Sequence, residues 1–147
     1  MPISLTARHK TMSVVIEDRL VAATPVVSIV IPAYREAENL PVIIPRLNEA
    51  LSNAHLAAEI IVVDDFSGDG TTEICRELSE QYPLRLVTRQ SERGLSSAVL
   101  HGLRQARGDV LIVMDADLSH PPEKVPELVE ALDEADVDFV KIGRAHV

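Results

Sequence analysis

The chain has 147 residues, 46% of them hydrophobic and 25% charged, with a formal net charge of −9 and a single cysteine, Cys75. That length suffices for one domain with a proper core; one cysteine excludes an internal disulfide, and an acidic chain without a basic cluster argues against nucleic acid as a partner. Aromatic residues make up only 3%, so the core must be aliphatic, which suits a parallel sheet covered by helices.

Residues 1–25 show no clean period and read as a flexible amino-terminal arm; residues 26–147 carry the domain. The first strand is expected over Val26–Ile31, closed by Pro32, which cannot donate to a ladder. Asn39 stands where a helix N-cap would, and Leu40, Ile43, Ile44, Leu47 and Leu51 recur at helical spacing. Pro45 inside that run implies either a later start or an irregular first turn. Glu59–Asp64 reads as a second strand, ending in the turn-rich acidic loop Asp64-Asp65-Phe-Ser-Gly-Asp69-Gly70-Thr71. Asp69 or Thr71 would cap the next helix, which carries Ile74 and Leu78 and is stopped by Pro83. Cys75 lies in it as a small core residue. Leu84–Thr88 is a third strand.

After Arg89-Gln-Ser-Glu-Arg93-Gly94, residues Leu95, Ala98, Val99, Gly102, Leu103 and Ala106 form one helical face, and Gly108 reads as its C′ residue. Taken alone, Arg89 and Arg93 read as solvated surface charges. Val110–Met114 is a continuous apolar run, a strand buried on both faces. Pro121 and Pro122 introduce a helix with Val125, Leu128, Val129 and Leu132, and Asp138–Ile142 begins a fifth strand. The alternation of strand and helix implies a mostly parallel sheet with right-handed crossovers. No apolar run approaches the length of a transmembrane helix, and the amino end lacks a secretory signal pattern. The expectation is a cytoplasmic protein, with peripheral contact at the inner face of the membrane left open.

The chemistry is concentrated in Asp115-Ala116-Asp117, directly after the fourth strand. Side chains alternate along an extended chain, so Asp115 and Asp117 point the same way if that geometry persists. Two neighbouring carboxylates repel unless a cation sits between them, and Mg²⁺ typically takes one or two carboxylates plus water and phosphate oxygens. In a parallel sheet the loops after Ile31, Val63 and Met114 share one carboxyl edge, where open α/β sheets bind ligands. No Gly-x-Gly-x-x-Gly follows the first strand and no Gly-Lys-Ser/Thr loop is present, which argues against a Rossmann dinucleotide site and a P-loop. His120, beside the aspartates, reads as a loop histidine that packs.

The strings SIVIPAYREAENL from Ser28, IIVVDDFSGDGT, and RGLSSAVLHGLRQARGDVLIVMDADLSHPPE resemble the inverting glycosyltransferases of the GT-A fold. They are most similar to the dolichol-phosphate mannose synthases and their bacterial polyprenyl-phosphate relatives. The resemblance runs from about Val26 to Val140. It implies an α/β, GT-A (Rossmann-like), mostly parallel sheet flanked by helices, with an incomplete C-terminal part. Pro32, Ala33, Tyr34 and Glu36 resemble the motif lying against the nucleotide of the sugar donor. Asp65 resembles the carboxylate that reads the base or ribose, and Arg93 stands where the family makes nucleotide-sugar contacts. Asp115, Ala116 and Asp117 resemble the donor-binding motif, with Asp115 and Asp117 holding Mg²⁺ or Mn²⁺ and Asp117 serving catalysis.

The implied function is transfer of a sugar, with mannose from GDP-mannose as the first expectation and UDP-glucose as the second donor, to a polyprenyl or dolichyl phosphate. A lipid phosphate is anionic near neutral pH, its second pKa being about 6, so it needs no dedicated general base. Three departures stand out. Arg35 replaces the asparagine usual in the first motif, Phe66 occupies a position usually small or polar, and Ser119 stands where some relatives carry a glutamine ligand. The family domain also continues further, and Ile142–Val147 reads like a translated sequencing adapter. The chain is therefore expected to bind nucleotide better than it turns over. The alternatives are a truncated, non-catalytic nucleotide-sugar-binding fragment and, last, a sugar-1-phosphate nucleotidyltransferase, whose Gly-rich phosphate loop is missing here.

Overall fold

A computed structural model describes residues 25–90 and 94–135. Four parallel strands, β1 (Val27–Ala33), β2 (Ala58–Asp64), β3 (Leu84–Thr88) and β4 (Val110–Val113), form one sheet in the order β3-β2-β1-β4. Val27 pairs with Ala58 on one side and with Val110 on the other. The chain moves outward from β1 through β2 to β3, then returns to the far side of β1 as β4. The strand order therefore reverses between β1 and β4, the place where open α/β sheets form their ligand crevice. The amino-terminal arm and the fifth strand expected from the sequence lie outside the described residues, the former but for Pro25.

Alternation along the strands sorts the core into two layers. Ile29 and Ile31 of β1, Ile60 and Val62 of β2 and Ile112 of β4 face α1 (Leu40–Asn53), α2 (Thr71–Ser79) and α4 (Val125–Ala135). Leu40, Ile43, Ile44, Leu47, Cys75, Val125 and Val129 complete that layer. Each fully buried Ile or Leu contributes about 1.5–3 kcal/mol. Val30, Ile61, Val63 and Val113 face the other way and are covered by α3 (Leu95–Gln105) through Ala98, with Val99 and Leu103 at the margin. Helix α3 lies very close to the sheet. A Cβ added at Gly102 would overlap Val30 Cγ1 and sit 3.0 Å from Val63 Cγ2.

Several local expectations are revised. β1 continues through Pro32 to Ala33. The groups of Val26 and Val30 that bond β4 point to one side, and Pro32 shares that parity. Its missing N–H therefore faces the side where pairing with β4 has already ended, and costs no ladder bond. Helix α1 starts at Leu40 and runs through Pro45, with Asn39 as N-cap in position only. The Asn39 side chain instead donates to Glu36 Oε2 at 2.7 Å. Helix α1 ends in a Schellman pattern, with Leu56 N–H donating to Leu51 O and His55 N–H to Ser52 O. His55 takes the left-handed C′ position at φ 57°. Gly108 is no C′ residue. It is needed because a Cβ there would lie 2.8 Å from Ser28 Oγ and 2.9 Å from the Ser28 amide nitrogen.

At the amino edge, wholly buried Glu59 accepts from Ser28 Oγ and from the Arg107 amide, both at 2.7 Å, and from the Nε atoms of Arg85 and Arg107, both at 3.1 Å. Breaking a buried ion cluster of this kind typically costs about 3–5 kcal/mol. It ties β1, β2, β3 and the α3–β4 connection together at the end of the sheet away from the acidic loops.

Candidate active site

At the carboxyl edge a cleft of about 260 Å³ is lined by Pro32, Ala33, Tyr34, Asp65, Gly94, Leu95 and Ala98. Four of the residues predicted from the sequence, Pro32, Ala33, Tyr34 and Asp65, thus share one wall with the start of α3. Tyr34 is exposed, and the Arg35 guanidinium carbon sits 5.3 Å from the centre of its ring.

The neighbouring aspartates at the end of β2 do different things because neighbours on a strand face opposite sides. Asp64 points into the α1–α2 layer and is wholly buried, where Ser67 Oγ and Thr72 Oγ1 each donate to it at 2.7 Å. Asp65 points toward α3 and into the cleft wall. Arg89 grips it with two bonds, Nε to Oδ1 at 2.7 Å and Nη2 to Oδ2 at 2.9 Å. The Gly94 amide adds a third at 3.2 Å. Arg89 is only 6% exposed, so the surface-charge reading of this residue is wrong. An arginine after a strand looks the same in sequence whether it is solvated or paired; what buries this one is Asp65, 24 residues away.

Two hydroxyl relays hold the β1 loop against the β2 loop. The Arg35 amide donates to Ser67 Oγ at 2.7 Å, and that hydroxyl donates to Asp64. The Glu36 amide donates to Thr71 Oγ1 at 3.2 Å, and that hydroxyl donates to Asp69 at 2.5 Å. Burial opposes the charge on Asp69, but bonds from the Thr71 hydroxyl and amide outweigh it and hold the carboxyl below its usual range. The backbone around these contacts is unusual. Arg35, Phe66 and Leu118, one in each of the three loops, have φ of 58°, 52° and 63°. Left-handed backbone at side-chain-bearing residues is uncommon, and it concentrates at functional sites.

The loop after β4 keeps the strand alternation for four more residues. Met114 and Ala116 are buried in the α1-side layer, while Asp115 is half-buried and Asp117 exposed on the other side. What Ala116 can offer a ligand is therefore its backbone. Ser119 donates to Asp117 Oδ1 through its amide at 3.0 Å and its hydroxyl at 2.5 Å. His120 is buried, and its Nε2 has no hydrogen-bond partner among the described residues. Asp115 and Asp117 do not line the cleft itself, but their charge reaches the β1 loop. The Glu36 carboxyl is pushed up chiefly by burial; the Asn39 amide opposes this, and the negative charges of Asp117, Asp69 and Asp115 add to it.

Among the described residues no three His, Cys, Asp or Glu side chains gather to hold a metal. The protein's share would be the two carboxylates, a hard donor set that fits Mg²⁺ or Mn²⁺ completed by water and phosphate oxygens. Arg93 lies outside the described residues.

An open parallel sheet whose acidic loops meet at a β1–β4 reversal is the scaffold of the GT-A glycosyltransferases, and solved structures of that fold match it. The mannosyltransferase PcManGT from Pyrobaculum calidifontis, in complex with GDP-Man and Mn²⁺, aligns with a TM-score of 0.59 at 27% identity, over 88% of this chain and 42% of that one. Glucosyl-3-phosphoglycerate synthase from Mycobacterium tuberculosis, in complex with Mn²⁺, UDP and phosphoglyceric acid, gives a TM-score of 0.59 at 26% identity, over 74% and 39% of the two chains. The chain belongs to Glycosyl transferase family 2, whose pattern it matches over residues 28–147.

Two curated relatives narrow the kinship. Dolichol-phosphate mannosyltransferase of Pyrococcus furiosus is 52% identical over 106 residues, which is 72% of this chain and 30% of the relative. The enzyme of the same name from Mycosarcoma maydis is 52% identical over 116 residues, 76% of this chain and 40% of the relative. The chain thus matches between 30% and 40% of the length of these relatives.

Proposed function

We propose that this chain is the donor-binding part of a metal-dependent inverting glycosyltransferase, moving mannose from GDP-mannose to a polyprenyl or dolichyl phosphate. The observation that carries the reading is the placement of Asp115 and Asp117 beside the Tyr34–Glu36 loop at the carboxyl edge, where the sheet order reverses. The relatives named for dolichol-phosphate mannosyl transfer supply the acceptor class and the sugar.

In this reading Asp115 and Asp117 hold Mg²⁺ or Mn²⁺, and Asp117 is the catalytic carboxylate of the pair. When bound, the cation supplies the Lewis-acid neutralisation that makes a nucleoside diphosphate a competent leaving group. Pro32, Ala33 and Tyr34 wall the nucleotide cleft and Asp65 accepts from the nucleoside. Glu36 and the backbone of Ala116 border the donor, and Arg93 contacts the nucleotide sugar. The Asp64–Ser67 and Asp69–Thr71 relays keep the loop from 34 to 36 in place without contributing to chemistry. The acceptor oxygen of a lipid phosphate is already anionic at neutral pH, and it attacks the anomeric carbon from the face opposite the diphosphate, inverting that centre. A lipid acceptor puts the site at a membrane surface, on the cytoplasmic side; no helix among the described residues is long and apolar enough to cross a membrane.

Calorimetric titration with GDP-mannose, UDP-glucose and GTP, each with and without Mn²⁺, tests the reading. It expects Mn²⁺-dependent binding of the sugar diphosphates, GDP-mannose tighter than UDP-glucose, and at least about tenfold loss in Asp115→Asn. Metal-independent binding, or a clear preference for GTP, would overturn it.

A further inference from the structure

Arg89 does not line the cleft, but it braces Asp65, which does. Besides its two bonds to Asp65, it donates through Nη1 to Ser97 Oγ at 2.9 Å and through Nη2 to Gly94 O at 3.2 Å, while its amide donates to Asp64 O at 2.8 Å. One guanidinium therefore links the end of β3, the end of β2 and the first turn of α3. Its planar fork matches a carboxylate in a way that a lysine ammonium cannot.

Counting acceptor positions on Asp65 gives the consequence. A carboxylate oxygen accepts about two hydrogen bonds. Oδ2 already receives two, from Arg89 Nη2 and the Gly94 amide, and Oδ1 receives one, from Arg89 Nε. A single acceptor position is left, on Oδ1. The paired N1–H and N2–H donors of a guanine need both oxygens of one carboxylate, and Arg89 has taken that edge.

We infer that Arg89 is a positioning residue for nucleoside recognition. It holds Asp65 with one acceptor position open, on Oδ1, for a single nucleoside donor, either a ribose hydroxyl or one ring N–H. Asp65 then serves purine and pyrimidine donors alike, and base preference comes from elsewhere in the cleft. The inference rests on the nucleotide-binding reading above and goes beyond it by assigning a role to Arg89 and a limit to Asp65.

The test measures affinity for Mn²⁺-GDP, Mn²⁺-UDP, Mn²⁺-2′-deoxy-GDP and Mn²⁺-pyrophosphate by calorimetry, in wild type, Arg89→Lys, Asp65→Asn, their double variant and Ser97→Ala, with urea unfolding to confirm that each folds. Arg89→Lys should weaken GDP and UDP by a similar factor, about tenfold, the equivalent of one hydrogen bond to a charged group. Pyrophosphate, which has no nucleoside, should stay within about twofold of wild type. The double variant should be no weaker than the worse single variant, since both act on one interaction, and Ser97→Ala, which removes one Arg89 contact but leaves its two bonds to Asp65, should weaken nucleotide less than Arg89→Lys does. If 2′-deoxy-GDP binds wild type as weakly as GDP binds Arg89→Lys, the donor is the 2′-hydroxyl; if it binds like GDP, the donor is another ribose hydroxyl or a ring N–H. Equal weakening of nucleotide and pyrophosphate would reduce Arg89 to a structural tie, and loss of GDP binding alone would return base reading to Asp65; either overturns the inference. Unchanged nucleotide affinity in Arg89→Lys also overturns it while leaving the nucleotide reading intact. A wild type that binds pyrophosphate but neither nucleotide overturns both.

Discussion

The amide of Arg35 and the carboxylate of Asp64 are joined through one hydroxyl: Arg35 N–H donates to Ser67 Oγ, which donates to Asp64 Oδ1, both at 2.7 Å. A wholly buried carboxyl group thereby holds an exposed loop at the mouth of the cleft. Ser67→Ala removes the middle of this relay, leaving the Arg35 amide without that acceptor and Asp64 with one donor fewer. We expect a loss of about 1–3 kcal/mol in urea unfolding, the cost of leaving a buried polar group unsatisfied. A change below about 0.5 kcal/mol, the usual range for surface substitutions, would show that the relay does not hold the loop.

The left-handed residues invite stabilising changes. Phe66 is 52% exposed at φ 52°, and Arg35 is exposed at φ 58°. A non-glycine residue in this region costs roughly 1–2 kcal/mol, and asparagine tolerates it better than most. Phe66→Asn and Arg35→Asn should each raise stability by about 0.5–1 kcal/mol, read from unfolding midpoints. A decrease in either variant would mean that the native side chain makes contacts outweighing its backbone cost.

Much of this architecture is legible in the sequence because its signals are local. The aliphatic runs at 27–33 and 58–64 form the two inner strands and the run at 110–113 pairs beside the first of them, and the three acidic loops follow from their parallel order. What is not legible depends on partners distant in the chain. Pro32 looks like a strand end, yet it continues β1 because pairing with β4 has already stopped. Arg89 looks like a solvated charge until Asp65 is placed against it. No residue type at 35, 66 or 118 announces a left-handed backbone. The roles of Asp64 and Asp65 separate only once the two faces of β2 have different neighbours.

The close approach at Gly102 sets the height of α3, and with it the cleft wall formed by Gly94, Leu95 and Ala98. Gly102→Ala should destabilise the fold by about 1–3 kcal/mol, as overpacking does. The same change made in a Val30→Ala background should cost less, because the overlapping methyl group is gone. Equal cost in the two backgrounds would mean that Val30 is not what limits the approach.

Glu36 makes a prediction with a definite sign. Its carboxyl is raised in the fold, so the native state holds that proton more tightly than the unfolded chain does. Its contribution to stability is then complete below the ordinary value of 4.5 and is lost as pH rises through the folded value. Glu36→Gln, which keeps an acceptor for Asn39, should exceed wild type in stability at pH 7, and the gap should close toward pH 4. Urea unfolding at both pH values measures it. A gap that widens on acidification would show that the ionised carboxylate is stabilised in the fold.

The central claim is that Asp115 and Asp117 form half of a cation site which a nucleoside diphosphate completes. Electron paramagnetic resonance of Mn²⁺ tests it most directly, since the free ion's signal fades on binding. With wild-type protein the signal should fall strongly only when GDP or UDP is also present, beyond what the nucleotide alone produces. With the Asp115→Asn, Asp117→Asn double variant, that extra loss should vanish. An equal loss of free-ion signal in wild type and double variant would contradict the account.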